Sequence, residues 1–276
     1  MNKLSSNGSA QLKLYASLLA FVLLCMVGLR YCSNPPVGKE KERRASQGDT
    51  IDVAISYSPV TLYRYADTLG GFGYDMLRAI EKQNEMVFKL HPVTSLEMSL
   101  NGLDEGLYDM VVYNVAKTAD IDKRFVFTEP VAFDKQVLIQ KCDTTGNLMV
   151  KNQLDLARKR VWVEAASPAV LRLKHLSAEI GDTIFVESVN DYSSEQLFIM
   201  TAIGEIPLSV VNENVARQLA VDYPQVDIST DVSFTQFQAW IIRAADSISI
   251  NRINSAIINF KNTSDYPRLL KQYNLE

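Results

Sequence analysis

The residues of this chain best suited to ligand chemistry are hydroxyl, amide and aromatic side chains at the ends of predicted strands. Tyr113, Asn114 and Thr118 lie at or after the end of the predicted strand Asp109–Tyr113, and Ser167 follows a later strand. Open α/β sheets bind ligands outside the carboxyl ends of their strands. These groups donate and accept hydrogen bonds but do not form a nucleophile–base pair, so the pattern favours binding over catalysis.

Two of the candidate positions have a structural alternative. Pro168 is suited to the first turn of a helix, so Ser167 either offers its hydroxyl and that helix N-terminus to a ligand or only caps the helix. Tyr57, Tyr63 and Tyr65 follow the first predicted strand, and one of these rings, for which we choose Tyr63, is expected to stack on a ligand. Packing at the surface is the alternative for all three.

Composition and charge exclude several kinds of site. The formal net charge of −4 leaves no basic excess to neutralise phosphates, so we expect no nucleic-acid partner. The two histidines and three cysteines have no metal-ligand spacing, and we expect neither a metal nor another cofactor. The apolar share of 47% is typical of a globular protein with a sizeable core.

The N-terminal region predicts a membrane anchor. Leu14–Leu29 is uncharged and apolar, and Lys3 and Lys13 precede it, which favours a cytoplasmic N-terminus. No cleavage site of small residues follows, so an uncleaved signal anchor is expected, with a cleaved signal peptide or lipidation at Cys32 as alternatives. Residues 1–32 are assigned to a cytoplasmic stub and anchor.

The following segment, residues 33–50, is predicted to be a flexible tether, because its prolines, mixed charges and small polar residues cannot form a core. From residue 51 onward, short apolar runs typical of strands alternate with segments of helical periodicity. This alternation predicts an α/β fold with mainly parallel sheets.

The order of motifs in this region resembles the bacterial extracellular solute-binding proteins of family 3. The motifs are Gly71–Asp75 (GFGYD), Leu103–Val112 (LDEGLYDMVV), Thr118 and Phe127–Pro130 (FTEP). The resemblance implies a type II periplasmic-binding-protein fold, in which two α/β lobes enclose a ligand cleft. It implies lobe 1 at about 51–135 and 236–276, and lobe 2 at about 136–235.

The second half of the chain is most similar to the non-catalytic N-terminal half of the membrane-bound lytic transglycosylase F family. The similarity is carried by Val161–Ser167, Ser194–Leu197 and Val211–Ala216. The lysozyme-like catalytic domain of that family is not expected here, so we predict no catalytic residue and no enzyme activity. The predicted signal anchor, together with the resemblance, leads us to expect a single-pass protein of the inner membrane with its globular domain in the periplasm.

The resemblance also indicates what the cleft does not bind. Family members hold an amino acid by an arginine of a T-x-x-R motif and by an acidic residue in lobe 2. Counted from Thr118, the arginine position is Ile121, and the acidic position is Asn212. A buried carboxylate without a cation is costly, so a free amino acid is disfavoured. Arg124, one helical turn beyond Ile121, is a substitute cation unless it is a solvated loop charge.

We therefore predict a solute-binding protein for a neutral, peptide-like or cell-wall-derived ligand, as in the substrate-binding component of an ABC transporter. Its expected partners are a small molecule in the cleft, the inner membrane, and peptidoglycan or a membrane permease. The alternative is a degenerate, transglycosylase-related envelope protein that contacts peptidoglycan or a partner protein.

Overall fold

The computed structural model describes residues 13, 15–22, 24, 26, 50–143, 145–243 and 247–276. The chain divides into two units, Met1–Gly48 and Asp49–Glu276. In the first unit, residues 15–22 are helical. No described helix combines the length and hydropathy that crossing a bilayer requires. Parts of the predicted anchor, Cys32 and residues 33–49 of the predicted tether lie outside the described residues.

The second unit alternates strands and helices, as the sequence predicts. Its described strands are β1 (Thr50–Ser56), β2 (Tyr63–Tyr65), β3 (Thr68–Gly70), β4 (Val87–Val93), β5 (Met110–Ala116), β6 (Phe125–Phe127), β7 (Ala132–Asp134), β8 (Gln136–Lys141), β9 (Arg160–Glu164), β10 (Phe185–Val189), β11 (Leu208–Asn212), β12 (Val226–Asp227) and β13 (Gln236–Arg243). Its described helices are α1 (Phe72–Gln83), α2 (Leu96–Asp104), α3 (Ala119–Asp122), α4 (Pro168–Ile180), α5 (Ser194–Ile203), α6 (Glu213–Ala220), α7 (Ser247–Lys261) and α8 (Asp265–Gln272), and Gln153–Leu156 forms a 3-10 turn.

The first sheet has the strand order β4-β1-β5-β13-β6, and β7 also pairs with β13. Strand β1 is parallel to β4 and β5, whereas β13 is antiparallel to β5. Helix α1 buries Phe72, Met76, Leu77 and Ile80, which recur at helical spacing and join the core cluster that contains β1 and β5 side chains. Full burial of such side chains contributes about 1.5–3 kcal/mol each.

The second sheet has the strand order β10-β9-β11-β8-β12. Strand β9 is parallel to β10 and β11, and β8 runs antiparallel to β11. Leu173 and Leu176 of α4 are buried in a cluster with Val161 and Val163 of β9. The two sheets therefore have the helix-covered parallel cores typical of α/β proteins.

The chain passes from the first sheet to the second at Lys135 and returns between β12 and β13. Two ion pairs hold Lys135 at the first crossing. Its Nζ lies 2.7 Å from Asp231 Oδ1 and 3.6 Å from Glu213 Oε1. Because only a few residues join the two sheets, they are the places where backbone rotation would move one sheet relative to the other.

Candidate functional site

Two adjoining cavities lie between the sheets and are lined by residues of both. They contain about 420 Å³ and 320 Å³ of space between atoms, part of it open to solvent. Tyr113, Asn114, Ser194 and Asn212 line both cavities, so the two form one cleft.

The fold positions these side chains at strand ends and helix starts. Ser56, Glu164 and Asn212 are the last residues of β1, β9 and β11, and all three line the cleft. Helices α2, α4 and α5 begin at the same place, and Leu96, Pro168 and Ser194 are their first residues. This is the edge at which open α/β sheets bind ligands.

Glu164 is a buried carboxyl group that connects the two sheets. Its Oε1 accepts hydrogen bonds from Leu96 N at 3.1 Å and from the Tyr113 hydroxyl at 2.5 Å. Its Oε2 accepts from the Ser194 hydroxyl at 2.8 Å. Burial raises the pKa of Glu164, although the hydrogen bonds from these three donors and from the Ser194 backbone act in the opposite direction. Burial and the neighbouring Glu164 raise the pKa of Tyr113 well above its usual value.

Asp134 is a second buried carboxyl group, placed where the chain leaves the first sheet. Its Oδ1 accepts hydrogen bonds from Lys135 N at 2.8 Å and Asn214 N at 3.2 Å. Burial raises its pKa to about 7, and the nearby Glu213 carboxylate adds to the effect, while the two backbone donors oppose it. Asp134 therefore changes its charge near neutral pH.

Amide groups form a second contact across the cleft and leave acceptors unused. The side-chain Nδ2 of Asn212 donates a hydrogen bond to the backbone carbonyl oxygen of Asn114 at 3.0 Å. Asn114 Oδ1 and Gln136 Oε1 are buried and receive no hydrogen bond from the described residues. Buried polar atoms are rarely left unpaired in folded proteins, so these two oxygens mark positions for a donor.

Four of the predicted site residues, Tyr113, Asn114, Ser167 and Asn212, line the cleft. The Ser167 oxygen also accepts a hydrogen bond from Ala169 N at 3.1 Å, which is the capping arrangement that was the alternative for this residue. Ser167 therefore caps α4 and also lines the cleft.

The other four predicted residues lie outside the described lining of both cavities. Ile121 is buried in a core cluster with Leu100 and Phe125, as its apolar side chain favours. Arg124 forms an ion pair with Asp104 and lies over the Phe125 ring, 5.0 Å from its centre. The suggestion that Arg124 replaces an arginine at position 121 is thus not supported, because Asp104 holds its guanidinium on the surface.

Thr118 and Tyr63 make their contacts with other parts of the fold. The Thr118 hydroxyl accepts a long hydrogen bond of 3.5 Å from Ile121 N. Tyr63 pairs with Gly70 in the β2–β3 hairpin and packs against the first core cluster. Of the three tyrosines Tyr57, Tyr63 and Tyr65, it is Tyr57 that belongs to the described lining of the cleft.

Sequence reasoning missed Asp134, Gln136, Glu164 and Ser194. Glu164 had a usable signal, since an acidic residue ends an apolar strand directly before the Ala165–Ser167 turn. Asp134 and Gln136 had none, because their place in the cleft depends on where the chain crosses between sheets.

Comparisons with known proteins agree with this architecture. The sequence profile of the bacterial extracellular solute-binding proteins, family 3, matches residues 50–276. The chain is 23% identical over 250 residues to membrane-bound lytic murein transglycosylase F of Alteromonas mediterranea, covering 89% of this chain and 52% of that protein. With the Cronobacter sakazakii protein of the same name it is 21% identical, covering 91% and 48%. The chain thus spans about half the length of these relatives.

Solved structures share the fold. An ancestral arginine-binding protein bound to arginine superposes with a TM-score of 0.70 at 21% identity, covering 82% of this chain and 98% of that one. A putative L-cystine ABC transporter protein from Listeria monocytogenes gives 0.70 at 17%, covering 82% and 95%. The predicted two-lobed α/β binding-protein fold is confirmed.

Proposed function

The chain belongs to the bacterial extracellular solute-binding proteins, family 3, and we propose that it is a non-catalytic, membrane-anchored binding protein for a solute other than a free amino acid. The ligand would be neutral, peptide-like or derived from the cell wall. The observation that carries this proposal is the cleft, whose described lining contains hydroxyl, amide and carboxyl groups from both sheets but neither lysine nor arginine.

The missing cation argues against a free amino acid. The α-carboxylate of such a ligand would be buried beside Asp134 and Glu164 with no described arginine or lysine in the lining to neutralise it. Burying an unpaired charge costs several kcal/mol, more than a ligand of that size easily recovers. A ligand with amide or hydroxyl groups avoids this cost.

The proposed location is the periplasmic face of the inner membrane, with Leu14–Leu29 as the anchor. The apolar run and the lysines that precede it support this location, as does the similarity to relatives that are named membrane-bound lytic murein transglycosylase F. Fractionation of cells that express the full chain tests this: recovery in the detergent-soluble membrane fraction, with the domain accessible to protease in spheroplasts, is expected. A chain found only in the soluble periplasmic fraction would contradict the anchor.

A second candidate function is an envelope protein that contacts peptidoglycan or a partner protein without taking up solute. The specific observation in its favour is that Glu164 already joins the two sheets through Leu96, Tyr113 and Ser194. Co-sedimentation with purified peptidoglycan distinguishes the two, because a solute receptor with a small ligand does not need to pellet with the polymer. A permease partner is proposed only for the first function.

Thermal-shift screening of residues 46–276 against sugars, peptides and muropeptides tests the binding function. A ligand at a hundred times its Kd stabilises the folded state by about 2.7 kcal/mol, which raises Tm by several degrees. Asn114→Ala should weaken the response, whereas Asn101→Ala, at an exposed position of α2, should retain it. Silence across the whole library would contradict the proposal.

A further inference from the structure

The first crossing between the sheets contains contacts that join β7 of the first sheet to α6, which follows β11 of the second. Asp134, the last residue of β7, accepts a hydrogen bond on Oδ1 from Asn214 N at 3.2 Å. Asn214 Nδ2 in turn donates to the Phe133 carbonyl oxygen at 3.1 Å. Rotation of one sheet away from the other at this crossing separates β7 from α6 and breaks both contacts.

Asp134 supplies a capping acceptor that the cap residue of α6 does not provide. The first N–H groups of a helix have no partner within it and are usually satisfied by the side chain of a cap residue. Asn212 is the cap residue of α6, but its side chain makes no capping hydrogen bond, and its Nδ2 donates to Asn114 across the cleft instead. Asp134 reaches Asn214 N from the other sheet. The capping of α6 therefore depends on the two sheets staying together.

The Asp134 carboxyl group is buried and forms no ion pair with a described lysine or arginine. Its donors are neutral groups, the backbone N–H of Lys135 at 2.8 Å and that of Asn214. The Lys135 ammonium group lies instead beside Asp231 and Glu213. Because an ionised carboxylate is costly to bury without a cation, ionisation of Asp134 favours an arrangement in which water reaches it.

The titratable groups around Asp134 do not neutralise it. They come from each neighbouring element and are Glu213 of α6, Asp231 between β12 and β13, Glu195 of α5, Tyr57 after β1, Tyr113 of β5, and Lys135, whose charge is paired with Asp231. Burial raises the pKa of Asp134 to about 7, and the Glu213 carboxylate adds to this effect, while hydrogen bonds from Lys135 and Asn214 oppose it. Burial and the neighbouring Glu164 raise the pKa of Tyr113 well above its usual value, so its hydroxyl stays neutral when Asp134 titrates.

We propose that Asp134 is a proton-dependent switch for closure of the cleft. With Asp134 protonated, β7 stays against α6 and the cleft is closed. With Asp134 ionised, opening of the crossing is favoured because water then hydrates the carboxylate. Closing the cleft takes up a proton from the solvent at Asp134, and opening releases it. The switch regulates the proposed binding site and rests on that function for its role: the cleft retains a solute at lower pH and releases it as the pH rises.

Electron spin resonance distance measurements on the unliganded full chain in detergent test this switch. One spin label is attached at Asn101→Cys of α2 and the other at Lys174→Cys of α4, both of which are exposed positions on helices that begin at the cleft. Cys25, Cys32 and Cys142 are first replaced by alanine, so that only these two sites react. The distance between the labels then reports how far the cleft is open.

In the wild type we expect the closed population, with the shorter distance, to fall as the pH rises from about 5 and to level off above about 7. The sign follows from proton linkage, because the closed form holds a proton that the open, hydrated form releases. Asp134→Asn keeps an acceptor for Asn214 N without a charge, so it should remain closed at every pH. Equal distances in the wild type at about pH 5 and about pH 8, or an Asp134→Asn variant that responds like the wild type, would overturn the inference.

Glu195 provides a control within the same cavity. It lines the first cavity together with Asp134, and burial raises its pKa as well. Glu195→Gln should respond to pH as the wild type does, because Asp134 is intact. Loss of the response in Glu195→Gln would show that the charge on Glu195 controls closure, which contradicts the role given to Asp134.

Glu213→Gln is a second, graded test at the crossing itself. The Glu213 carboxylate helps to raise the pKa of Asp134, so its removal lets Asp134 ionise at a lower cost while the cleft is closed. The closed fraction at about pH 8 should therefore be larger than in the wild type. An equal or smaller closed fraction would contradict the switch.

The measurement needs no ligand, so its outcome is separate from that of the binding function. A pH-dependent distance in a chain that responds to no compound of the thermal-shift library supports the switch and contradicts only the binding function. Ligand binding by a chain whose distance is independent of pH leaves the binding function standing and overturns the switch.

Discussion

Asp134 illustrates how a single buried carboxyl group makes the stability of the protein depend on pH. The folded state raises its pKa from 3.8 to about 7, so it keeps a proton that the unfolded chain releases. Between these values the folded state binds more protons, and stability falls as pH rises through this window. Below it, both states are protonated and the penalty is absent.

We predict that Asp134→Asn becomes more stable than the wild type as the pH rises from about 4 to about 7, by at most about 4 kcal/mol. Asparagine keeps an oxygen that can accept from Lys135 N and Asn214 N. Urea unfolding across this range measures the difference, and Asp67→Asn, at an exposed position, controls for the loss of a carboxylate. A constant difference between Asp134→Asn and wild type at all pH values would show that Asp134 is not the titrating group.

At the scale of elements, the start of α1 is built around a glycine. Gly71 has φ of 127°, and a Cβ there would lie 2.4 Å from the Thr61 carbonyl oxygen. Its N–H donates to the Tyr273 hydroxyl at 2.9 Å, and that hydroxyl donates to Asp75 Oδ2 at 2.6 Å. The C-terminal segment thus fixes the entry into α1 from a distance in sequence.

A pair of glycine variants separates backbone strain from steric conflict. Gly71→Ala should cost more than about 3 kcal/mol of unfolding free energy, because strain and overlap add. Gly181→Ala, at the C-terminal end of α4, has φ of 76° but no atom within 4 Å of the added Cβ, so about 1 kcal/mol is expected. Chemical denaturation gives both values. If both substitutions lowered the free energy of unfolding by the same amount, the overlap between the new Cβ at position 71 and the Thr61 carbonyl oxygen would relax without penalty.

At the scale of the whole second unit, Glu164 stabilises the approach of one sheet to the other. Leu96 and Tyr113 belong to the segments around the first sheet, whereas Glu164 and Ser194 belong to the second. Loss of the carboxyl group leaves the Leu96 N–H and the Tyr113 hydroxyl without this acceptor unless the cleft opens to water.

Glu164→Ala is therefore expected to open the unliganded protein and to lower its unfolding free energy by about 1–3 kcal/mol. Small-angle X-ray scattering should report a larger radius of gyration for this variant. Glu187→Ala, which removes only the surface ion pair with Arg160, should match the wild type. An unchanged radius in Glu164→Ala would mean that other contacts, such as the one between Asn212 and Asn114, suffice to hold the sheets together.

Local sequence patterns are enough to predict the α/β alternation and the family. The predicted strand Asp109–Tyr113 overlaps β5, and the helix whose first turn was expected at Pro168 is α4, which begins there. Such elements follow from apolar periodicity and cap residues within one short segment, so no distant contact is needed to predict them. The short strands β6 and β7 escaped prediction, because three-residue strands depend on pairing with the distant β13.

The polar groups that meet in the cleft come together only through long-range folding. Glu164 lies 68 residues from Leu96 and 51 from Tyr113, and no local pattern indicates these contacts. Likewise, Arg124 is a candidate ligand group by its position one helical turn beyond Ile121, yet Asp104, twenty residues away, holds it at the surface. Hydrogen bonds and ion pairs between distant segments depend on how the sheets pack, whereas periodicity depends only on neighbouring residues. The set of polar groups that lines the cleft is therefore a property of the tertiary fold.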